Sequence, residues 1–155
     1  MKLAEALIER AHLQLVNIEL VKRIEGNLRL PDDEEPTSIP EELLKVYDAK
    51  MARLQDLVRQ INTTNALTKM ESGDSIAAAL ARRDCLTSQI RVYKEVYGEL
   101  TSHDRFEGYN RENRVKYVRH ADFNAMNDKI NQMCQELRIL DTAIQEKNWT
   151  VELLE

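Results

Sequence analysis

A segment near the end of the chain, residues 122–149, carries apolar side chains at alternating spacings of three and four residues. This spacing puts one row of apolar side chains along a single face of an α-helix, and it is typical of helices that pack knobs-into-holes against a partner. The row consists of Phe123, Met126, Ile130, Met133, Leu137, Leu140 and Ile144. Asp122 precedes the row and can cap the first turn. A chain with such a row needs partner helices to cover it.

Three other segments show the same spacing and supply those partners. Helices are predicted over residues 2–26, about 41–66 and about 75–100. The row in 41–66 is Leu44, Tyr47, Met51, Leu54, Val58 and Ile61, and the row in 75–100 is Ile76, Ala79, Arg83, Leu86, Ile90, Tyr93, Tyr97 and Leu100. The first helix has two rows. They are Ala4, Ile8, Ala11, Leu15 and Ile18 on one face and Leu13, Val16, Leu20 and Ile24 on another. Two apolar faces predict that this helix contacts more than one neighbour.

Two segments interrupt the helical pattern. Residues 27–40 hold three prolines and an acidic run, which favours an extended, solvated connection. In residues 101–121, Val115 and Tyr117 alternate with basic residues, which predicts a short strand, and residues 68–70 are the expected partner for it. The predicted fold is therefore all-α: a single domain, residues 1–155, forming an antiparallel, up-down-up-down four-helix bundle. Its packing would be coiled-coil-like, with a short irregular or β segment between helices three and four. The alternative is two long hairpins that exchange partners between chains.

Composition and charge narrow the functional classes. The net charge of -5 argues against a general nucleic-acid binder, although it leaves a local basic patch open. No apolar run reaches the roughly 18 residues of a membrane span. The acidic Glu5 and Glu9 at the start argue against a signal peptide. Cys85 and Cys134 lack metal-ligand spacing and are expected to be free thiols. A cytoplasmic protein without membrane partners is expected.

A basic segment between helices three and four is a candidate anion-binding site. Its cations are Arg105, Arg111, Arg114, Lys116 and Arg119. Phe106, Tyr109 and Tyr117 lie among them, and basic residues interleaved with aromatic ones can hold phosphates and stack bases. The alternative is a loop with an ordinary charged surface.

An arginine in the apolar row of helix three predicts a polar layer in the bundle. If Leu100 lies level with Asp122, Arg83 lies level with residue 139, within one turn of Asp141. Such a layer would either fix helix register or bind a small anion. Its predicted members are Asn62, Asn65, Arg83, Asp84, Asp141 and Gln145. Trp149, near the end of helix four, is predicted to be a core plug or an interface anchor.

No motif predicts catalysis. Glu9 and His12 have the Glu-x-x-His spacing of di-iron bundles, but such a centre needs a second pair and two further glutamates. The sequence has no phosphate loop, no GxSxG nucleophile motif and no readable Cys–His pair. The sequence therefore predicts a protein that is not an enzyme and has neither cofactor nor metal.

Four stretches resemble a small bacterial family of unknown function, some of whose members are labelled septicolysin. They are the opening MKLAEALIER, residues 61–65 (INTTN), the pair Arg83-Asp84 and the close LDTAIQEKNWTVELLE. The resemblance implies a helical cytoplasmic protein with no assigned reaction. The label suggests a pore-forming toxin, yet the sequence has no alternating membrane hairpin of about ten residues per strand.

The predicted function is that of a self-associating structural or interaction protein. A homo-oligomer, a dimer or a multiple of one, is expected because the row from Leu13 to Ile24 would otherwise form an exposed apolar patch. One alternative is a module that binds a phosphate-bearing ligand or nucleic acid through residues 105–119. The other is a toxin-like protein, as the septicolysin label suggests.

Overall fold

Four helices account for most of the chain, and the predicted all-α fold class is confirmed. The computed structural model describes residues 1–106 and 120–155, with the side chains of 1–99 and 120–155. The helices are α1 (Leu3–Leu28), α2 (Pro40–Leu67), α3 (Ile76–Phe106) and α4 (Phe123–Thr150). They belong to two compact units: residues 1–77 with 146–155, and residues 78–145. Within the units, α1 packs on α2 and α3 packs on α4.

The ends of the helices follow local sequence signals. Pro40 occupies the first turn of α2, where its missing N–H and fixed φ are no handicap, and Glu41 and Glu42 face the positive end of the helix dipole. Asp122 caps α4 as predicted, because its Oδ1 accepts a hydrogen bond of 3.0 Å from the amide of Ala125. Gly73, at a φ of 90°, lies in the turn ahead of α3, a conformation that glycine adopts without strain.

Two helices run beyond their predicted ends. The first helix, predicted to end at residue 26, continues to Leu28. Asn27 instead holds the following connection, since its Oδ1 accepts hydrogen bonds of 3.2 Å from the hydroxyl of Thr37 and the amide of Ser38. Helix α3 continues to Phe106, so the irregular segment begins later than predicted. The predicted strand at 115–117 lies outside the described residues, and Lys69, in the segment expected to pair with it, bridges Ser75.

The α1–α2 pair is antiparallel and shares one apolar seam. Glu9 near the start of α1 pairs with Arg53 of α2, while Arg23 near the end of α1 contacts Ser38, just before α2. The side chains buried in the two helices include Leu13, Leu20 and Ile24 of α1 and Leu43, Leu57 and Ile61 of α2. The α2 row differs from the predicted one by a residue at two points. Leu43–Leu44 and Leu57–Val58 are adjacent apolar pairs, and spacing alone cannot choose between the members of such a pair.

The α3–α4 pair is also antiparallel, and most residues of its predicted rows are buried or half-buried, whereas Tyr93 is exposed and Leu100 lies outside the described side chains. Leu86 and Ile90 of α3 form a buried cluster with Ile130 and Met133 of α4, and Met126 and Leu137 pack against it. The rings of Tyr97 and Phe123 stack with centroids 4.2 Å apart. Further along, Arg82 forms an ion pair of 2.6 Å with Glu136. All seven residues of the predicted α4 row are buried or half-buried.

A terminal clasp joins the two ends of the chain inside the first unit. The clasp consists of residues 1–3, residues 151–154 and Thr64. The amide of Leu3 donates to the carbonyl of Val151 at 3.0 Å, and the amide of Leu153 donates to the carbonyl of Met1 at 2.9 Å. The fully buried Thr64 Oγ1 accepts a hydrogen bond of 2.9 Å from the amide of Leu154. The clasp thereby ties the start of α1 and the end of α2 to the last residues of the chain.

Candidate interaction surfaces

The outward side of α1 carries a row of exposed apolar residues, here called the outer row: Ile8, Leu15 and Ile18. Their exposed fractions are 55–63%. At about 100° per residue, Leu15 and Ile18 lie about 200° and 140° round the helix from the buried Leu13. The sequence prediction that the row from Leu13 to Ile24 would be exposed is wrong, because that row covers α2. Both faces of α1 are apolar, so only the position of α2 decides which one remains exposed.

One flank of the α1–α2 pair continues this apolar surface. The amide Nδ2 of Asn17 donates to the sulfur of Met51 at 3.2 Å, which places Met51 on the Asn17 side of the pair. The apolar flank, as we call this side, is lined by Val21, Leu44 and Met51, all exposed. Asn17 itself is buried, and its Oδ1 has no hydrogen-bond partner in the part of the chain that the structure describes.

The opposite flank is charged. Glu9 binds the guanidinium of Arg53 through both carboxylate oxygens, at 2.8 and 3.0 Å, and the hydrogen bond and charge of Glu9 raise the pKa of Arg53. The charged flank includes a groove of about 490 Å³ lined by Leu13, Lys45, Val46, Ala49, Lys50 and Arg53. Glu9 is engaged by Arg53, and His12 is exposed. Among the side chains of residues 1–99 and 120–155, no group of three His, Cys, Asp or Glu could hold a metal ion.

The partner of Arg83 in the structure differs from the one predicted for the polar layer. Arg83 is 34% exposed and donates to Asp84 Oδ1 from Nε and from a terminal nitrogen, at 3.0 and 2.8 Å. Among the described side chains, no ion pair joins Arg83 to Asp141. The reason is register: the Tyr97–Phe123 and Arg82–Glu136 contacts place Arg83 nearer residue 136 than residue 139.

The remaining members of the layer lie on both units. Asn62 and Gln145 are exposed, while Asp141 is half-buried. Asn65 is half-buried with an Oδ1 that has no partner among the described residues. Asn62 and Asn65 belong to the first unit, and Arg83, Asp84, Asp141 and Gln145 belong to the second. The layer as a whole stays a prediction.

The other candidate residues fall into two groups. The basic residues Arg105, Arg111, Arg114, Lys116 and Arg119 lie outside the described side chains, so the anion-binding site stays a prediction. Trp149 is 58% exposed, which excludes the role of core plug and leaves that of interface anchor as a prediction. Cys85 and Cys134 are free thiols, as expected.

Two grooves on the α3–α4 pair are lined by both polar and apolar residues. The larger one, of about 820 Å³, is lined by Ile90, Lys94, Asp128, Asn131, Gln132, Cys134, Gln135, Leu137 and Arg138. The smaller one, of about 260 Å³, contains Cys85 beside Arg82, Lys129 and Glu136. Neither groove contains a histidine, so neither offers a Cys–His pair of the kind used in nucleophilic catalysis.

None of the described helices has an apolar stretch long enough to cross a membrane.

Comparison with known proteins places the chain in a family. Residues 3–153 match the model of a family of unknown function, DUF6847. The chain belongs to this family. The match confirms the resemblance to a family of unknown function, while the septicolysin label appears neither in the family's description nor in the structure to which the chain is similar.

That similar structure is the crystal structure of a functionally unknown conserved protein from Corynebacterium diphtheriae. The two chains are 34% identical, each is covered over 99% of its length, and the TM-score is 0.88. None of the curated proteins matches the chain. The comparisons therefore support a conserved helical protein and name no reaction for it.

Sequence reasoning missed the two flanks of the α1–α2 pair. A signal was present for Asn17, because positions 13, 17, 20 and 24 continue a heptad spacing in which an amide replaces an apolar residue. Leu44 and Val46 lie on opposite sides of the α1–α2 pair. This could not be predicted, because spacing alone does not decide whether Leu43 or Leu44 packs into the seam.

Proposed function

We propose that this protein of the DUF6847 family is a self-associating structural or interaction protein, without chemistry of its own, and that the outer row of α1 contacts a second copy. The observation that supports the proposal is the exposure of Ile8, Leu15 and Ile18 on one helical face. Single exposed apolar side chains are ordinary on protein surfaces, whereas a row of large ones on one face marks an interaction site.

The expected gain from covering the outer row is substantial. The three residues span about 15 Å along the helix. Each exposes on the order of 100 Å², and burial at about 25 cal/mol per Å² corresponds to about 2.5 kcal/mol for each side chain. A second copy offers the same row, so a two-fold contact would cover both rows at once.

Light scattering at micromolar concentration tests self-association. The wild-type protein is expected to have at least twice the monomer mass of 18.0 kDa. The variant Leu15→Glu/Ile18→Glu is expected to be a monomer, because docking would bury two unpaired carboxylates. Ile139→Glu is the matched control, since Ile139 of α4 has an exposed fraction of 64%, close to that of Leu15. A wild-type monomer, or equal loss of mass in the control, contradicts the proposal.

The two alternative functions predict other observables. Binding through residues 105–119 predicts a salt-dependent shift in the mobility of an RNA probe that Arg111→Ala/Arg114→Ala abolishes. A toxin-like function predicts release of dye from lipid vesicles at micromolar protein. The self-association proposal predicts neither effect.

A further inference from the structure

We propose that Met51 is a site of reversible oxidation and that the side-chain amide of Asn17 holds the oxidised side chain. The modification converts the thioether of Met51 into a sulfoxide, and the oxidant is a hydroperoxide such as hydrogen peroxide. Self-association is not required for it, because the contact between the two residues lies within one chain. Three observations support it: the exposure of Met51, the burial of Asn17 and the short distance between them.

The methionines differ in how far solvent reaches them. Met51 is 39% exposed, whereas Met70 and Met133 are 7% and 5% exposed, and Met126 is half-buried. Methionine oxidation follows solvent access, so a peroxide dissolved in water reaches Met51 more readily than the buried methionines. Met1 is also exposed, but it belongs to the terminal clasp. Met51 is therefore the accessible methionine of the α1–α2 pair.

The oxidation of Met51 is a two-electron step. A lone pair of the Sδ atom attacks one oxygen of hydrogen peroxide, so that an S–O bond forms and the O–O bond breaks. The departing hydroxide takes the proton of the transferred oxygen and leaves as water. A thioether sulfur has two lone pairs, so the hydrogen bond from Asn17 leaves one of them for the oxidant. Methionine sulfoxide reductases, which are dithiol enzymes, return the sulfoxide to the thioether and release water and a disulfide.

Asn17 supplies the donor that the oxidised side chain needs. Its Nδ2 lies 3.2 Å from the sulfur of Met51, and the residue is only 7% exposed. A thioether is a weak acceptor, and Oδ1 of Asn17 has no partner among the described residues, so this buried amide is poorly satisfied. A sulfoxide oxygen is a stronger acceptor. A donor beside the new oxygen offsets the cost of placing a polar group against apolar side chains.

Rotation of one side chain is sufficient to form the new hydrogen bond. Methionine is unbranched and has three rotatable bonds, so turning about Cγ–Sδ carries the sulfoxide oxygen toward Nδ2 of Asn17, to the usual N–H···O distance of about 2.9 Å. Asn17 is held in place by its position in α1 between the buried Leu13 and Leu20. Oxidation therefore replaces a weak contact between α1 and α2 with a stronger one.

Hydrogen peroxide and peptide mass spectrometry test whether Met51 is the reactive site. The intact folded protein is treated with dilute hydrogen peroxide, and the sulfoxide fraction of each methionine is followed with time. Met51 is expected to react at least about tenfold faster than Met70 and Met133, because both of these are buried. Met1 reports the dose of oxidant. A rate at Met51 no higher than that of the buried methionines overturns the proposal.

The variant Asn17→Leu tests whether the amide holds the sulfoxide. Urea unfolding is measured before and after oxidation, and Met51→Leu, which lacks the reacting sulfur, gives the effect of oxidising the other methionines. Oxidation of Met51 is expected to lower the folding equilibrium constant less than about threefold in the wild-type protein and at least about tenfold in Asn17→Leu, because leucine offers the sulfoxide no donor. An equal loss in both proteins overturns the proposal.

Nuclear magnetic resonance of the wild-type protein gives a second readout that needs no variant. A side-chain amide proton of Asn17 is expected to shift downfield on oxidation, because it then donates to an oxygen instead of a sulfur. Treatment with a methionine sulfoxide reductase is expected to return the resonance to its first position. Unchanged amide resonances of Asn17 beside an oxidised Met51 overturn the proposal, even if Asn17→Leu does not fold.

Discussion

The α1–α2 pair and the α3–α4 pair are built from the same spacing of apolar residues but differ in what remains outside the seam. In the α3–α4 pair most residues of the predicted rows are buried or half-buried. In the α1–α2 pair a second row, Ile8, Leu15 and Ile18, lies on the outward side of α1. On α3, the exposed Val92 and Val96 lie four residues apart on one face, so the exposed row of that pair is shorter than the one on α1.

The same spacing of apolar residues can serve two purposes: it can pair two helices, or it can form a surface for a further contact. One apolar row on each helix is sufficient to pair two helices. A second row on the opposite face adds nothing to that pairing and makes the free protein less soluble. Its presence on α1 is the feature that the proposed contact with a second copy would use.

The largest expected effect is on the apolar seams of the two helix pairs, which are expected to contribute similarly to the free energy of unfolding. Leu57 in α2 and Leu86 in α3 are both buried. Leu57→Ala and Leu86→Ala should each lower the free energy of unfolding by about 2–5 kcal/mol, because each leaves a cavity in a seam. Urea denaturation measures both. A loss below about 1 kcal/mol in one of them would show that its seam is loosely packed and would break the equivalence.

A smaller effect of opposite sign is expected at Asn17, the polar residue in the α1–α2 seam. Asn17→Leu removes a buried acceptor that has no partner among the described residues, and it should raise the free energy of unfolding by about 1–2 kcal/mol. Urea denaturation measures the free energy of unfolding of Asn17→Leu. Asn27→Leu, which changes a less buried amide, is measured for comparison. A destabilised Asn17→Leu would mean that a bound water or the contact with Met51 satisfies the amide.

Arg83, the polar residue in the α3–α4 row, should matter less than Asn17. Because Arg83 is partly exposed and pairs with Asp84 on its own helix, Arg83→Met and Asp141→Ala should each change the free energy of unfolding by less than about 1 kcal/mol. Thermal melting of Arg83→Met, Asp141→Ala and the double variant Arg83→Met/Asp141→Leu measures these changes in stability. A loss of several kcal/mol in Asp141→Ala, recovered in Arg83→Met/Asp141→Leu, would instead support the predicted buried layer.

The smallest effect is a pH dependence of the terminal clasp. Hydrogen bonds from Lys2 and from the ammonium group of Met1 lower the pKa of the Glu152 carboxyl below its ordinary value. A carboxyl with a lowered pKa in the folded state stabilises that state above its unfolded pKa, and this stability is lost as pH falls through the lowered value. Glu152→Gln should therefore flatten the decline of the melting temperature in mild acid. Glu155→Gln, at an exposed carboxylate in the same tail, should leave the decline unchanged.

Much of the fold could be predicted from spacing, while the candidate surfaces could not. Four helices, the cap at Asp122 and the rows of α3 and α4 follow from periodicity and local signals. Both apolar rows of α1 were predicted, but not which of them stays exposed, because periodicity does not say which face meets α2. The structure shows Arg83 paired with Asp84 instead of Asp141, because the register of α3 and α4, which spacing alone does not determine, differs from the predicted one by about three residues.

The terminal clasp has a consequence for the order of folding. It joins residues 1–3 and Thr64 to residues 151–154, which lie far away in sequence, whereas α1 and α2 are neighbours in sequence. Contacts between distant residues form slowly because a long loop must close first, so α1 can pair with α2 before the clasp forms. The first turn of α1 and the end of α2 are therefore expected to be the last parts of this pair to become protected from hydrogen exchange.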